Sequence, residues 1–311
     1  MSSRPVLRVA LLAGGKSSER EVSLKGAQAV KKALEALGHK YEFFDPATDL
    51  FELAKRAKEF DCAFLVMHGP GGEDGTLQGF LDSIGLPYQG AGVLGSALAM
   101  HKGIAKELYR LAGLKVPEGQ VFTPEDGLEK VKAWAKTLGY PLVVKPATQG
   151  SSIGLTIAKQ ESELPQALEK AYAIDKEVLV EQYLKGREIT VGILDEEPLP
   201  VVEIVPKASE TFDYTTKYTP GLAEEICPAP IGENLTKKAQ EYGLKAHKAL
   251  KIRHYSRTDM IIKDEEIYVL ETNTIPGMTE TSLLPLAAKV AGYSFEGLIQ
   301  KLLDLTLKEK F

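Results

Sequence analysis

The chain predicts an α/β fold, α+β overall: a parallel sheet with helical crossovers at the N-terminus, then units built on antiparallel strands. Three observations predict it. Apolar strand-like runs alternate with amphipathic helical stretches through the first hundred residues, which is the pattern of a parallel sheet. From residue 141 on, short runs are instead joined by glycine-containing or charged turns, which is the pattern of hairpins. The length, 311 residues, exceeds an ordinary single domain, so two or three domains are expected.

The elements follow in order. Residues 7–13 form a short apolar run ending at Gly14-Gly15, a buried strand and not a signal peptide. Residues 21–37 read as an amphipathic helix stopped before Gly38, 40–44 as a strand, 50–58 as a helix, and 62–67 as a strand apolar on both faces. Ligands collect beyond the carboxyl ends of such strands, where the loops 14–20 and 68–75 lie. Residues 101–114 read as a helix and 115–117 as a linker. A second unit has a helix at 124–138, strands at 141–146 and 155–158 around the small-residue loop 147–154, a helix at 161–174 and a strand at 178–183. The third unit starts near Lys185, with strands at 188–194 and 201–205, a polar aromatic loop at 206–224, a helix at 233–250, a hairpin at 255–272 and two closing helices.

Composition excludes several classes. Hydrophobic residues make up 44% and charged residues 26%, which is ordinary for a globular protein. A net charge of −5 gives no electrostatic footprint for nucleic acid or anionic lipid, so basic residues that bind phosphate must be local to a site. No stretch approaches the ~20 apolar residues that cross a bilayer. Cys62 and Cys227 belong to no CxxC pair and read as reduced structural thiols of a cytoplasmic protein. His247 and His254 read as structural or surface residues.

"ALLAGGKS" at 10–17 fits a loose phosphate-loop pattern with Ala10 for the first glycine. Its middle residues, Leu11 to Ala13, belong to the strand, leaving only Gly14 and Gly15 for a loop. The alternatives are a tight turn capped by Ser17 or Ser18, and a substrate loop resting on Glu19.

The hairpin carries the most chemistry. With its turn centred on Glu265, Asp259 faces Glu271 and Arg257 faces Asn273, so all four polar groups share one face. The other face receives Met260, Ile262, Tyr268 and Leu270 and reads as core. Carboxylates opposed on adjacent strands, with Cβ atoms ~5 Å apart, repel. A divalent cation relieves that, and oxygen-only ligands favour Mg²⁺ over zinc. The alternative is a solvated hairpin face with an Arg257–Asp259 ion pair. Magnesium held by few carboxylates usually also holds a nucleotide phosphate. Lys145, closing an apolar strand, and Lys102, opening a helix, are the candidate phosphate partners.

Five stretches, "GGKSSEREVSL" (14–24), "HGPGGEDGTLQG" (68–79), "VVKPATQGSSIG" (143–154), "DYTTKY" (213–218) and "RTDMIIKDEEIYVLETNTIPGMTETSLLP" (257–285), together resemble the D-alanine–D-alanine ligases of the ATP-grasp superfamily. The resemblance implies an N-terminal Rossmann-like domain (1–101) and a two-domain ATP-grasp fold, with a central small domain (102–184) and a C-terminal domain (185–311) bearing the lid loop 206–224. It implies a cytoplasmic, homodimeric enzyme that ligates two D-alanines through a D-alanyl phosphate, with ATP as substrate and Mg²⁺ or Mn²⁺ bound, for peptidoglycan precursor synthesis. It implies Asp259, Glu271 and Asn273 as metal ligands, and Lys102 and Lys145 on the α/β-phosphates. Glu181, Gln182 and Leu184 match the adenine linker, Glu188 the ribose contact, and Lys217 the lid lysine for the γ-phosphate. Arg257 and the Gly277 N–H match the oxyanion donors. Glu19 matches the carboxylate for the first substrate's ammonium, with His68 nearby and Ser151 and Tyr218 completing a lid-closing set. Ser282 and the Leu283 N–H match the donors for the second substrate's carboxylate. Tyr218 resembles the D-alanine makers and not the D-lactate users. Gln182 stands where lysine is frequent, and Pro70 where Arg or Lys is frequent.

Overall fold

The computed structural model of the chain describes residues 5–206 and 223–308. The sequence-predicted site residues Lys217 and Tyr218, and most of the loop 206–224, lie outside them.

The first sheet is parallel, in the order β2-β1-β3, from β1 (Arg8–Ala13), β2 (Lys40–Phe44) and β3 (Cys62–Val66). Both faces of β3 are buried, which is why "CAFLV" is unbroken apolar. The two-residue period of a strand splits its neighbours between two cores. Val9, Leu11, Cys62, Phe64 and Val66 pack with α1 (Arg20–Ala36) and the C-terminal helix α10 (Phe295–Lys308). Ala10, Leu12, Ala63 and Leu65 pack with α2 (Leu50–Arg56) and α3 (Thr76–Ser83). α1 stops where Gly38 takes φ +77° and the His39 N–H returns to the Leu34 carbonyl, a glycine C-terminal cap.

α5 (Lys102–Leu111) is the helix expected over 101–114, three residues shorter at its end, and α4 (Gly92–Met100), which precedes it, was not anticipated. His101 separates them in extended conformation, and its Nδ1 accepts the Ile104 N–H as the cap of α5. The second sheet is antiparallel, β4-β7-β5-β6, from β4 (Gly119–Phe122), β5 (Leu142–Pro146), β6 (Thr156–Ala158) and β7 (Val178–Gln182). β4 was not anticipated, since four residues carry too little periodicity. One face of this sheet packs on α6 (Leu128–Leu138) and α7 (Leu164–Tyr172). The helix expected over 124–138 is broken at Gly127, φ +74°, with 124–126 forming a separate 3₁₀ turn under a Thr123–Asp126 capping box.

The third sheet is also antiparallel, β11-β10-β8-β12-β13, with β9 (Glu197–Pro198) paired to β8. Its strands are β8 (Arg187–Leu194), β10 (Val202–Pro206), β11 (Ala223–Ile226), β12 (Tyr255–Lys263) and β13 (Glu266–Asn273). One face packs on α8 (Glu233–Ala249) and on Ala105 and Tyr109 of α5. On the opposite face, α9 (Leu283–Val290) covers the Gly192–Leu194 end of β8, and the rest lines a cavity facing the second sheet.

The hairpin departs from the sequence reading in one instructive way. Its turn is the two-residue Asp264-Glu265, both at positive φ (50° and 60°), so Ile262 pairs with Ile267 and Met260 with Val269. A β-bulge between Asp259 and Met260 absorbs one extra residue on β13. Beyond it Asp259 pairs with Glu271 and Arg257 with Asn273, as expected. The core face therefore carries Ile267 and Val269, and not Tyr268 and Leu270. Leu270 lines the cavity instead.

Two histidines are buried beside this sheet. Burial pushes His247, whose Nδ1 is 2.8 Å from Ser256 Oγ, and His254 each down to about 4. Above the unfolded value near 6.5 both states are neutral and no slope arises. Between 6.5 and 4 the unfolded chain takes a proton the folded one refuses, so stability falls with pH by about 1.4 kcal/mol per unit for each histidine. Unfolding followed between pH 7 and 5 is expected to show this loss, with a shallower slope in His247→Gln; an unchanged slope in that variant refutes the assignment.

Candidate active site

A cavity of about 240 Å³ lies between the second and third sheets. Its walls are apolar side chains of both, among them Val143, Ile157, Ile204 and Leu270. Its charged groups are Lys102, Lys145, Glu181, Lys185, Glu188, Asp259 and Glu271, and the segment Gln182 to Leu184 forms one edge. β5 and β7 each turn alternate side chains inward, so Lys145 and Glu181 enter the cavity while Val144 and Val180 go to the core. Lys102 enters from the first turn of α5, whose backbone is tied to the Ala147 carbonyl (Lys102 N–H, 2.9 Å). The ammonium of Lys102 donates to the Gln149 carbonyl at 2.6 Å and lies 3.3 Å from Glu271 Oε2. Lys145 Nζ lies 2.7 Å from Glu181 Oε1. The two lysines proposed from sequence thus converge with both hairpin carboxylates.

On the hairpin, Asp259 accepts from Arg257 Nε (3.0 Å) and Nη2 (2.9 Å), from Thr190 Oγ1 (2.7 Å) and from Asn273 Nδ2 (3.1 Å). The Arg257–Asp259 ion pair of the alternative reading is therefore present, but it is not on a solvated face: the side chains are 13% and 15% exposed, and Asp259 lines the cavity. No group of three or more His, Cys, Asp or Glu able to hold a metal gathers among the described residues. Two opposed carboxylates and an amide are hard oxygen donors, the kind that suits Mg²⁺.

A second cluster lies at the carboxyl ends of β1 and β3. Glu19, at the start of α1, is buried (3% exposed) and accepts from Ser151 Oγ. The carboxylate is wedged between two glycines: a Cβ at Gly150 would lie 2.9 Å, and one at Gly69 3.0 Å, from Glu19 Oε2. His68 is buried, and its carbonyl accepts from Ser17 Oγ at 2.7 Å. Burial and the nearby Arg257 push its imidazole down to about 4, so it is neutral near pH 7. The sequence reading missed Glu73. It accepts the Gly69 N–H at 2.7 Å, and burial and the Glu19 charge push it up to about 8. Its place in "GGEDG", next to turn glycines, hid it among loop residues. Lys106 was missed too: it ends in a buried ion pair, 2.8 Å from Glu181 Oε2.

Ser282 caps α9, and Leu283 is its first helical residue. Ser282 Oγ accepts the Thr279 N–H at 3.1 Å, and a Cβ at Gly277 would stand 3.0 Å from it, so the three meet at one helix N-terminus, where backbone donors favour an anion. The phosphate-loop pattern is excluded. Gly14 N–H donates to Ser23 Oγ (2.8 Å) and Gly15 N–H to Asp45 Oδ1 (2.9 Å), so the glycine amides are spent on the protein. Pro70 is exposed at the tip of its loop.

Comparison with known proteins agrees along the chain. A family model described as D-ala D-ala ligase C-terminus matches residues 108–304, and one described as D-ala D-ala ligase N-terminus matches 45–91. A D-alanine–D-alanine ligase of Syntrophobacter fumaroxidans is 50% identical over 307 residues, 97% of this chain and 98% of its own. The structure of a Bacillus anthracis D-alanine–D-alanine ligase complexed with ATP superimposes with TM-score 0.86 at 33% identity, covering 97% of this chain and 98% of that one. The VanG D-Ala:D-Ser ligase of Enterococcus faecalis superimposes with TM-score 0.82 at 33% identity, covering 97% and 100%.

Gly69 (φ +72°) and Gly71 (φ +82°) both carry left-handed backbone, but only the first is crowded by Glu19. Gly69→Ala is expected to cost about 2–3 kcal/mol and Gly71→Ala about 1 kcal/mol in denaturant unfolding. Equal costs would mean the Glu19 carboxylate does not press on this loop.

Proposed function

The chain belongs to the D-alanine–D-alanine ligase family, and from that premise we propose that it joins two D-alanines into D-alanyl-D-alanine at the expense of ATP, for peptidoglycan precursor synthesis. The carboxylate of the first D-alanine attacks the γ-phosphate, giving D-alanyl phosphate and ADP. The amine of the second then attacks the acyl carbon and phosphate leaves. Two anions must meet, so fixed cations have to neutralise them. The observation that carries the reading is the meeting of Lys102, Lys145, Asp259 and Glu271, from four separate segments, in one cavity between two antiparallel sheets.

Each residue has a role in this reading. Lys102 and Lys145 bind the α- and β-phosphates, and Lys217 of the 206–224 lid reaches the γ-phosphate. Asp259, Glu271 and Asn273 would hold Mg²⁺ or Mn²⁺, whose charge offsets that of the phosphates when bound. The apolar walls, with Glu181, Gln182 and Leu184 at the edge, take the adenine, and Glu188 the ribose. Arg257 and the Gly277 N–H donate to the oxyanion that develops on the acyl carbon. Glu19 receives the ammonium of the first D-alanine; its burial strengthens that contact. His68, neutral, orients the same substrate by hydrogen bonding and carries no charge. Ser151 and Tyr218 complete the lid-closing set with Glu19. The carboxylate of the second D-alanine takes Ser282 and the Leu283 N–H at the start of α9. In this reading the units 1–101, 102–184 and 185–311 share the reaction between them, and the chain acts in the cytoplasm, where ATP is available, as a homodimer. Among the described residues no helix is long and apolar enough to cross a membrane.

Incubation with ATP, Mg²⁺ and D-alanine is expected to yield D-alanyl-D-alanine, ADP and phosphate in equal amounts, identified by mass spectrometry. D-serine or D-lactate as the sole acceptor partner should give far less product; equal product would reassign the acceptor. Chelation by EDTA should stop turnover and excess Mg²⁺ restore it. Glu271→Gln should lower kcat by at least about a hundredfold, and normal turnover by that variant would remove the metal assignment.

A further inference from the structure

α5 carries two lysines one turn apart on the same face, Lys102 and Lys106. Lys102 reaches the cavity, whereas Lys106 does not line it. Lys106 is 1% exposed, among the most buried large side chains of the described residues. Its Nζ sits 2.8 Å from Glu181 Oε2, and the other oxygen of that carboxylate, Oε1, is 2.7 Å from Lys145 Nζ. Lys145 and Glu181 both line the cavity. Passing inward, the order is therefore a cavity lysine, a buried carboxylate and a second lysine behind it.

A buried carboxylate needs one counter-ion, and Lys145 alone would supply it. With Lys145 as its sole partner, however, Glu181 would compete with any phosphate for that ammonium. A second cation behind the carboxylate takes up part of its charge and leaves a net positive charge facing the cavity. We infer that Lys106 is a positioning residue for nucleotide binding, which by engaging one oxygen of Glu181 leaves Lys145 free to turn from that carboxylate to a nucleotide's phosphates. Although burial opposes it, the two ammoniums hold Glu181 below the usual carboxylate range, so the carboxylate is charged and the competition is real. The inference rests on the reading of Lys145 as a phosphate ligand, and the test separates the two.

Calorimetric titration of the full chain with ADP and Mg²⁺, and separately with adenosine, tests both. The wild type should bind ADP more tightly than adenosine, and Lys145→Met should lose that advantage; if it does not, the reading of Lys145 fails. Lys106→Met should weaken ADP binding about tenfold while adenosine binding stays within about twofold. The KM for ATP should rise in step, with kcat at saturating ATP nearly unchanged, and Lys106→Arg should restore most of the loss. Lys106→Met/Glu181→Gln, which removes both charges of the buried pair, should regain ADP affinity over Lys106→Met, because nothing then captures Lys145. Unchanged ADP binding in Lys106→Met, or equal losses for ADP and adenosine, overturns the inference. Should that single variant not fold, the comparison of Glu181→Gln with the double variant decides: a difference in ADP affinity of about tenfold overturns it, and one within about twofold supports it.

Discussion

The constraint on which the rest depends is the placing of two carboxylates opposite one another on adjacent strands. Asp259 and Glu271 face the same cavity across the β12–β13 ladder. Such a pair repels, and repulsion in a half-buried setting must be answered by positive charge. The fold answers from three directions. Arg257 sits two residues along the same strand, Lys102 arrives from a helix start, and Lys145 from the opposite sheet. On the proposed function the same arrangement serves a nucleotide and its cation: cations gathered around acidic oxygens, held so that phosphate oxygens can take over some of their contacts.

The hairpin shows how little tolerance that constraint leaves. Side chains alternate along a strand, so a one-residue slip would turn Asp259 or Glu271 into the core. A two-residue turn at Asp264-Glu265 alone produces such a slip. The bulge beside Asp259 cancels it, placing the apolar pairs Met260–Val269 and Ile262–Ile267 on the α8 side and the polar pairs on the cavity side. Bulges often stand beside active sites because they re-aim a side chain. Here the extra residue, Leu270, also becomes part of the cavity wall.

At the other end of the site the same economy holds for a single negative charge. Glu19 is buried between Gly69 and Gly150 and bonded to Ser151. Glu73, close by, is raised toward its neutral form, so the cluster need not carry two full charges. On the proposed function this cluster is where the ammonium of the first D-alanine is received.

The sequence by itself determined the parallel N-terminal sheet and the hairpins after it, because strand period and turn composition are local properties; the pairing of Asp259 with Glu271 it reached from a turn centred on Glu265, whereas the structure reaches it through a two-residue turn and a bulge. It also determined the family, through motifs spread along the chain. It could not yield β4 or α4, where propensities are weak and packing decides. Nor could it yield the bulge, whose cause is the competition between a turn geometry and two faces that must both be satisfied. The largest gap is Lys106. Read in sequence it is a helix lysine like many others, and only the packing of α5 against the second sheet brings its ammonium to Glu181. Charges that meet across distant segments leave no local trace, so that part of the site was decided by tertiary structure alone.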